Sequence, residues 1–539
     1  MKGRRQRRAW LPAMVLAAAC LLAASCANRT APPPNIIFIL VDDQRYDELG
    51  FLKPMLDTPH LDKLAARGVF FSNAVVTTSL CSPSRATILT GQYMHNHGVV
   101  DNNTPLKAGT RTFPEMLRSA GYRTALIGKW HMGGLSDEPR PGFDHWVSFA
   151  GQGTYLPIDR FGNITHFNVN GERIPQSGYI TDELTDYALE WLEAARQAKP
   201  FFLYLSHKAV HSNFTPAERH KNQYSDAELK LPESAGMDAD NPLRPMWARN
   251  QRNSFHGIEF PYHAPDVDLL GIQRNYHRTV SAVDDSVGRI LEWLDATGEA
   301  GNTVVIYTSD NGFYFGEHGL IDKRSAYEES IRVPMIASAP GRFLEGARVA
   351  AQVANLDIAP TILEIAGVAI PGQFEGESFK GLAEGSANPA EWRDAMLYEY
   401  FWEFNFPHTP TTFAIRTNDF KLIQYHGVWD IDELYDLRSD PGEMHNLIGD
   451  REYLDTIVDL RRRLHGLLAD NEGRNAVPYS YKYNQGAVFR HRSGSATARH
   501  PSQWLREGTE PDLRDFKITD EEKLKVTDEA ELARLRSLR

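Results

Sequence analysis

Asn35-Ile36-Ile37-Phe38-Ile39-Leu40-Val41-Asp42-Asp43-Gln44 is the stretch on which the fold turns. An unbroken apolar, β-branched run is how a strand covered on both faces of a parallel sheet reads. It stops abruptly at two carboxylates, and open α/β sheets take their ligands at the C-terminal ends of strands. Outward from this point the pattern repeats. Residues 122–127 run into Gly128-Lys129-Trp130-His131, 201–205 into Ser206-His207-Lys208-Ala209-Val210-His211, and 303–308 into Ser309-Asp310-Asn311-Gly312. Helices are expected over 58–65, where Pro59 suits a first turn, and over 112–120, 181–197 and 276–294. Strands alternating with helices predict an α/β core, its mixed or parallel sheet covered by helices.

Residues 212–265 are polar, carry Pro and Asn, and read as an insertion beside one strand end. Beyond about residue 370 the pattern shortens to strand-like runs at 396–400, 412–416, 420–425 and 434–437, then a helix over 450–471. That predicts a smaller α+β domain with an antiparallel sheet. The expected division is therefore 35–370 for the larger domain, 371–484 for the smaller one and 485–539 for an irregular, wrapping tail.

The N-terminus reads as a targeting segment. Lys2, Arg4, Arg5, Arg7 and Arg8 precede an apolar stretch ending in Leu22-Ala23-Ala24-Ser25-Cys26, which makes 1–26 an export signal. Pro12 and the shortness of the run argue against a spanning helix. The Leu-Ala-Ala-Ser-Cys end resembles a bacterial lipoprotein cleavage box, which would lipidate Cys26; ordinary cleavage to a soluble exported protein is the other reading. Residues 27–34 then form a short tether. The expected location is the periplasm, or the outer membrane or cell surface as a lipoprotein, with no membrane contact except through that lipid.

Fifty-eight basic against 70 acidic side chains give a formal charge of −12, so the global field does not draw nucleic acid. An anionic substrate needs a local basic pocket. The three cysteines are Cys20, Cys26 and Cys81, and removing the signal leaves Cys81 with no disulfide partner. An unpaired exported cysteine is a hazard unless it is buried or has a job. It opens Cys81-Ser82-Pro83-Ser84-Arg85-Ala86-Thr87-Ile88-Leu89-Thr90-Gly91, at the mouth of an expected helix. Arg85 falls one turn on, on the same side, and a helix N-terminus favours an anion.

Asp42, Asp43, Asp310 and Asn311 are oxygen donors placed just after buried strands. Each pair alone also reads as a loop cap. Two pairs at equivalent strand ends point to a hard cation, Ca²⁺ or Mg²⁺, whereas zinc usually brings histidine or thiolate. Lys129 and His131 share one face of a strand exit. Together with His211 and Lys323 around Cys81 and Arg85, they would form a pocket for a tetrahedral anion with proton-transfer groups at hand. Glu328, Glu329 and Arg332 read as a structural ion-pair network, and His95, His97 and His207 as structural or supporting residues.

Cys81-Ser82-Pro83-Ser84-Arg85 resembles the Cys-x-Pro-x-Arg signature of type I sulfatases, and 86–91 continue the match. Val41-Asp42-Asp43, Gly128-Lys129-Trp130-His131, Ser309-Asp310-Asn311-Gly312 and Lys323 with Tyr327-Glu328-Glu329 follow in the family's order. The resemblance spans roughly 35–450, with no departure at a catalytic position. It implies an alkaline-phosphatase-like α/β fold, a large mixed sheet sandwiched by helices, with a smaller C-terminal domain carrying an antiparallel sheet. It further implies that a formylglycine-generating or sulfatase-maturing enzyme oxidises Cys81 to formylglycine. One hydroxyl of the hydrated aldehyde attacks sulfur, and the second expels sulfate as the carbonyl re-forms. Carried over by position, Asp42, Asp43, Asp310, Asn311 and the modified Cys81 hold Ca²⁺. Arg85 and Lys129 neutralise nucleophile and sulfate, His131 orients the diol or takes its second proton, and His211 and Lys323 bind sulfate and assist the leaving oxygen, with His211 as general acid.

Residues 398–413 mix aromatics with polar groups, and Trp402, Glu403 and His408 are candidates for a sugar; a packed core is the other reading. This segment, with 425–430, is similar to carbohydrate sulfatases related to N-acetylglucosamine-6-sulfatases. The expected substrate is a sulfated oligo- or polysaccharide: glycosaminoglycan, mucin or an algal glycan such as ulvan. Two other classes stay open: a phosphonate monoester or phosphodiester hydrolase of the same fold, and a non-catalytic sulfated-glycan-binding protein if Cys81 stays unmodified.

Overall fold

The computed structural model of the chain describes residues 33–471, apart from 197–199, 237–240, 252–266, 404–405 and 428, together with 476–477 and 488–489. The expected export signal, most of the tether and nearly all of the tail lie outside the described residues.

Ten strands form the main sheet: β1 (Asn35–Val41), β2 (Val69–Phe71), β3 (Arg123–Gly128), β4 (His145–Ser148), β5 (His166–Val169), β6 (Glu172–Pro175), β7 (Phe201–Ser206), β8 (Thr303–Ser309), β9 (Met335–Ser338) and β10 (Ala347–Val349). Their order is β10-β2-β9-β8-β1-β7-β3-β4-β5-β6. The centre, from β8 through β1, β7 and β3 to β4, is parallel. β9 runs antiparallel to β8, and β5 and β6 form an antiparallel edge, so the sheet is mixed.

Register places the site. Leu40 pairs with Ser206, Val41 with Ser309 and Gly128 with Ser206, so the four expected strands end at one level. The alternation of β1 divides its side chains between two cores. Phe38 and Leu40 face Ile88 and Leu89 of α2 (Cys81–Thr90), which follows α1 (Pro59–Ala66) in the chain. Ile37 and Ile39 face the helices α3 (Ile180–Ala195) and α4 (Leu269–Thr297), through Leu184, Leu192, Val283 and Ile290. Every residue of β1 is buried, at roughly 1.5–3 kcal/mol for each large apolar side chain. That explains why a run with no polar interruption was needed. α4 starts earlier than its periodicity predicts, because the Asp268 carboxylate accepts the Gly271 N–H at 2.8 Å and caps the added turns.

The second sheet is antiparallel, in the order β11 (Ala395–Tyr400), β12 (Thr411–Thr417), β13 (Phe420–His426), β14 (Glu433–Asp436), backed by the helix Leu454–Asp470. Leu397, Ile415, Leu422 and Leu434 join the same packed core as Phe38. Ions lock the contact. The buried Glu328 carboxylate accepts from Arg416 Nε and Nη2, each at 2.8 Å, and lies 2.7 Å from Lys421 Nζ, while Tyr327 donates to Glu433 at 2.7 Å. The segment just after Lys323 is thereby held against the second sheet.

Candidate active site

α2 is buried on all sides, and its first residue is Cys81. It has no polar side chain at its N-cap, Leu80, and ends on Gly91 in the left-handed region that glycine adopts without strain. Arg85, one turn on, reaches across the strand ends. Its Nε donates to Asp310 Oδ2 at 2.9 Å, and its Nη1 donates to Ser206 Oγ at 2.7 Å and to the Lys129 carbonyl at 3.0 Å. These bonds join the exits of β3, β7 and β8 around one guanidinium. The strands must approach closely for this. A Cβ on Gly128 would stand 1.8 Å from the Ser206 carbonyl, and the glycine has φ +118°.

The loop after β1 is cross-braced to that after β8. Asp43 N–H donates to Asp310 Oδ1 at 3.1 Å, and Gln44 N–H to Ser309 Oγ at 2.8 Å. From α4, Tyr276 hydroxyl accepts the Arg45 N–H at 2.9 Å and donates to the Asp43 carbonyl at 3.0 Å. These contacts hold Asp43 at φ 66°, a conformation unusual for a non-glycine residue.

Asp42, Asp43 and Asp310 bring carboxylate oxygens within 4.8 Å of one another, all fully buried. Burial raises the Asp42 carboxyl, but Lys129, Arg85 and Lys323 outweigh it and hold the group well below the usual range. At Asp43 burial wins: against Lys323, and with Asp42 and Asp310 repelling its charge, the carboxyl is pushed up to about 7. Both Asn311 amide hydrogens are used, on Asp43 Oδ1 at 2.6 Å and the Gly312 carbonyl at 2.8 Å. Its oxygen, and Asp43 Oδ2, are buried without a hydrogen-bond partner. Unsatisfied buried oxygens beside crowded carboxylates, with no imidazole or thiolate required, suit a hard divalent cation.

Cys81 Sγ lies 3.5 Å from Asp42 Oδ1 and accepts from Lys323 Nζ at 3.2 Å. Burial, with Asp42 nearby, pushes its thiol up to about 12. Lys129 pairs with Asp42 and reaches Gln152 Oε1; Lys323 pairs with Asp43. Burial opposes the Lys323 charge, but Asp43 and its neighbours raise it well above the ordinary lysine value. His211 donates Nδ1–H to the Ser212 carbonyl at 2.7 Å, which leaves Nε2, 3.8 Å from Asp43 Oδ2, facing the site. Burial, with Lys323 and Lys129 outweighing the pull of Asp42, holds His211 neutral, and His131 likewise through burial and Lys129.

A cleft of about 950 Å³ opens over these groups. His131, His211 and Lys323 line it, as does Glu403. Trp402 and His408 are not among its lining: the Trp402 indole donates to the Pro407 carbonyl at 2.9 Å, and His408 is exposed. Gln152, Lys208 and Arg324 also line the cleft, and the sequence alone assigns them no role. Gln152 touches Lys129; Lys208, buried, sits 4.6 Å over the Tyr155 ring; Arg324 donates to Glu403 at 2.7 Å with its guanidinium 3.4 Å from the Phe406 ring. Lys208 and Arg324 adjoin motif residues, and only that adjacency marked them.

Buried carboxylates at parallel strand ends, a helix opened by a buried cysteine and a cationic cleft define a hydrolase of the alkaline-phosphatase-like architecture. The Sulfatase family model matches residues 34–368, and the model for the C-terminal part of N-sulphoglucosamine sulphohydrolase matches 316–470. The chain belongs to the sulfatase family and is a sulfuric ester hydrolase. It is 36% identical over 500 residues to an N-acetylglucosamine-6-O-sulfatase of Bacteroides thetaiotaomicron, covering 82% of this chain and 88% of that one. The human N-acetylglucosamine-6-sulfatase is 33% identical over 393 residues, covering 68% and 67%. The solved structure of BT4656 in complex with its substrate D-glucosamine-2-N,6-O-disulfate superposes with TM-score 0.75 at 33% identity, covering 84% of this chain and all of that one. Sulfatases generally use Ca²⁺ and formylglycine, and the acidic cluster described above has the composition to hold such an ion.

Proposed function

We propose that this enzyme removes a sulfate ester from a sulfated amino sugar of the N-acetylglucosamine type, within a glycosaminoglycan or mucin-like glycan, with Cys81 as the precursor of formylglycine. The observation that carries the reading is the placement of Cys81 Sγ between Lys323 Nζ and Asp42 Oδ1 beneath the cationic cleft. The relatives named for N-acetylglucosamine 6-sulfate support the sugar. Asp42, Asp43, Asp310 and Asn311 are the residues to hold Ca²⁺, which when bound supplies positive charge to the sulfate oxygens. Formylglycine, once made by a maturation enzyme, supplies an oxygen nucleophile and a second hydroxyl for turnover.

The chain's own residues divide the remaining work. Arg85 fixes the carboxylates of Asp310 and Asp42. Lys129, paired with Asp42, and Lys323, held protonated by Asp43, draw the sulfate toward residue 81. His211 offers Nε2 to the leaving oxygen and takes up its proton as the anionic substrate enters, since the added negative charge favours imidazolium. His131, at φ 51° and 3.4 Å from Ser82 Oγ, borders the nucleophile for the second proton. The Arg324–Glu403 pair presents donors and acceptors to sugar hydroxyls. Export, with lipidation of Cys26, would bring the enzyme to polymeric glycans outside the cytoplasm; among the described residues no helix is long and apolar enough to cross a membrane.

The test has two parts. Peptide mass spectrometry across residue 81 of protein from its native host should show CH₂SH replaced by CHO. A screen over defined sulfated mono- and oligosaccharides, with aryl phosphonates beside them, should show turnover of a 6-sulfated amino sugar that Cys81→Ala abolishes without loss of fold. An unconverted thiol would favour binding alone, and preference for phosphorus would overturn the substrate reading.

A further inference from the structure

The mouth of the cleft is lined by side chains that the sulfate chemistry does not need. Leu156, Ile158 and Phe161 stand on a hairpin whose strands meet at the Ile158–Ile164 bridge, and Leu135 lines the same cleft. They are large, apolar and exposed, Phe161 at 74%. Single exposed apolar residues are ordinary, but several gathered on one rim mark a binding surface.

Looseness does not explain the exposure. The Asp159 carboxylate accepts the backbone N–H groups of Phe161 at 2.8 Å and Asn163 at 2.9 Å. Asp159 N–H donates to the Asn163 carbonyl at 2.9 Å, and Thr165 N–H to the Pro157 carbonyl at 2.9 Å. A turn closed this thoroughly holds Phe161 outward. The Arg160 guanidinium lies 4.7 Å from the Phe161 ring centroid and has no carboxylate partner among the described residues. Asp159, the carboxylate beside it, is occupied in closing the turn. The lip thus offers an aromatic face, aliphatic flanks and an available cation, continuous with the cleft that holds His211 and Lys323. At about 950 Å³ this cleft is at the upper end of small-molecule sites, roomy for one sugar ring.

We propose that the hairpin over 156–164 is a second sugar subsite, which takes the anionic ring joined to the sulfated one. Its apolar C–H face stacks on Phe161, and its carboxylate or sulfate pairs with Arg160. This inference rests on the carbohydrate reading above, and its test separates the two. Steady-state kinetics are measured on 6-O-sulfo-N-acetylglucosamine alone and on the same sugar joined through its anomeric carbon to a uronic acid. The expected kcat/KM ratio favours the disaccharide by about tenfold, through KM. Phe161→Ala and Arg160→Gln each collapse the ratio toward one, and Phe161→Trp restores it. A ratio that stays put in both variants, or a native enzyme indifferent to the second ring, overturns the subsite and leaves the carbohydrate reading standing. Turnover of neither sugar by formylglycine-bearing native enzyme overturns both.

Discussion

His95 is gripped through both ring nitrogens, and that makes its proton measurable as stability. Nδ1 faces Glu399 Oε1 at 2.6 Å, and Nε2 faces the carbonyl of Asn471. Both partners accept, so both nitrogens can donate only as imidazolium. Burial opposes the charge, but Glu399, by charge and by hydrogen bond, wins and raises the group from 6.5 to about 9. The contact matters to the active site because Glu399 N–H also donates, at 2.8 Å, to the carbonyl of Thr77, on the segment that leads into Cys81.

A pKa raised on folding contributes stability that is complete below the unfolded value of about 6.5 and is lost as pH rises through about 9. At roughly 1.4 kcal/mol for each tenfold step in proton affinity, the contribution is about 3 kcal/mol at most. With an unfolding entropy of about 2.1 cal/mol/K per residue over the roughly 415 described residues, that is about 3 °C of melting midpoint. The assay is scanning calorimetry of native enzyme and His95→Gln from pH 6 to pH 10. The gap between them should be widest near pH 6, shrink through pH 8 and largely close by pH 10. A gap independent of pH would show that His95 acts by packing, not charge, and would refute the argument. A gap that grows with pH would reverse its sign.

Four further perturbations probe the site and its support. Chelation of the purified enzyme should lower its melting midpoint, and Ca²⁺ at about a hundred times Kd should restore about 2.7 kcal/mol. Asn311→Leu, which removes one buried free oxygen, should blunt that response; an unaltered response would remove Asn311 from the ion. Lys208 Nζ donates at 3.2 Å to the Ser212 carbonyl that also holds His211 Nδ1, so Lys208→Met should free the imidazole. A fall in kcat of about ten- to a hundredfold is expected, with partial rescue by Lys208→Arg; a change confined to KM would assign Lys208 to binding instead. Glu328→Gln leaves the buried Arg416 and Lys421 without their shared counter-charge and should cost about 3–5 kcal/mol in urea or thermal unfolding. A loss below 1 kcal/mol would mean that the second sheet is held by its apolar core alone.

What the sequence disclosed and what it withheld follow one physical division. β1, β3, β7 and β8 are long and covered on both sides, so burial wrote itself into uninterrupted apolar runs, and their register set Asp42, Lys129, His211 and Asp310 around one point. β5 and β6 escaped notice because an edge hairpin need not be apolar: every residue of β6 is exposed. The same holds for the cleft wall. Gln152 stands on the irregular segment that follows β4, and no periodicity encodes its position. Trp402 and His408 looked suited to a sugar by composition, yet composition does not say which way a loop turns; Arg324, selected by Glu403 and the Phe406 ring, stands on the cleft wall instead. Chemistry that must be buried leaves a pattern in the chain. Groups that meet the substrate at the rim are chosen by geometry, which is why the amino sugar can be argued from relatives and its neighbour only from the exposed face of Phe161.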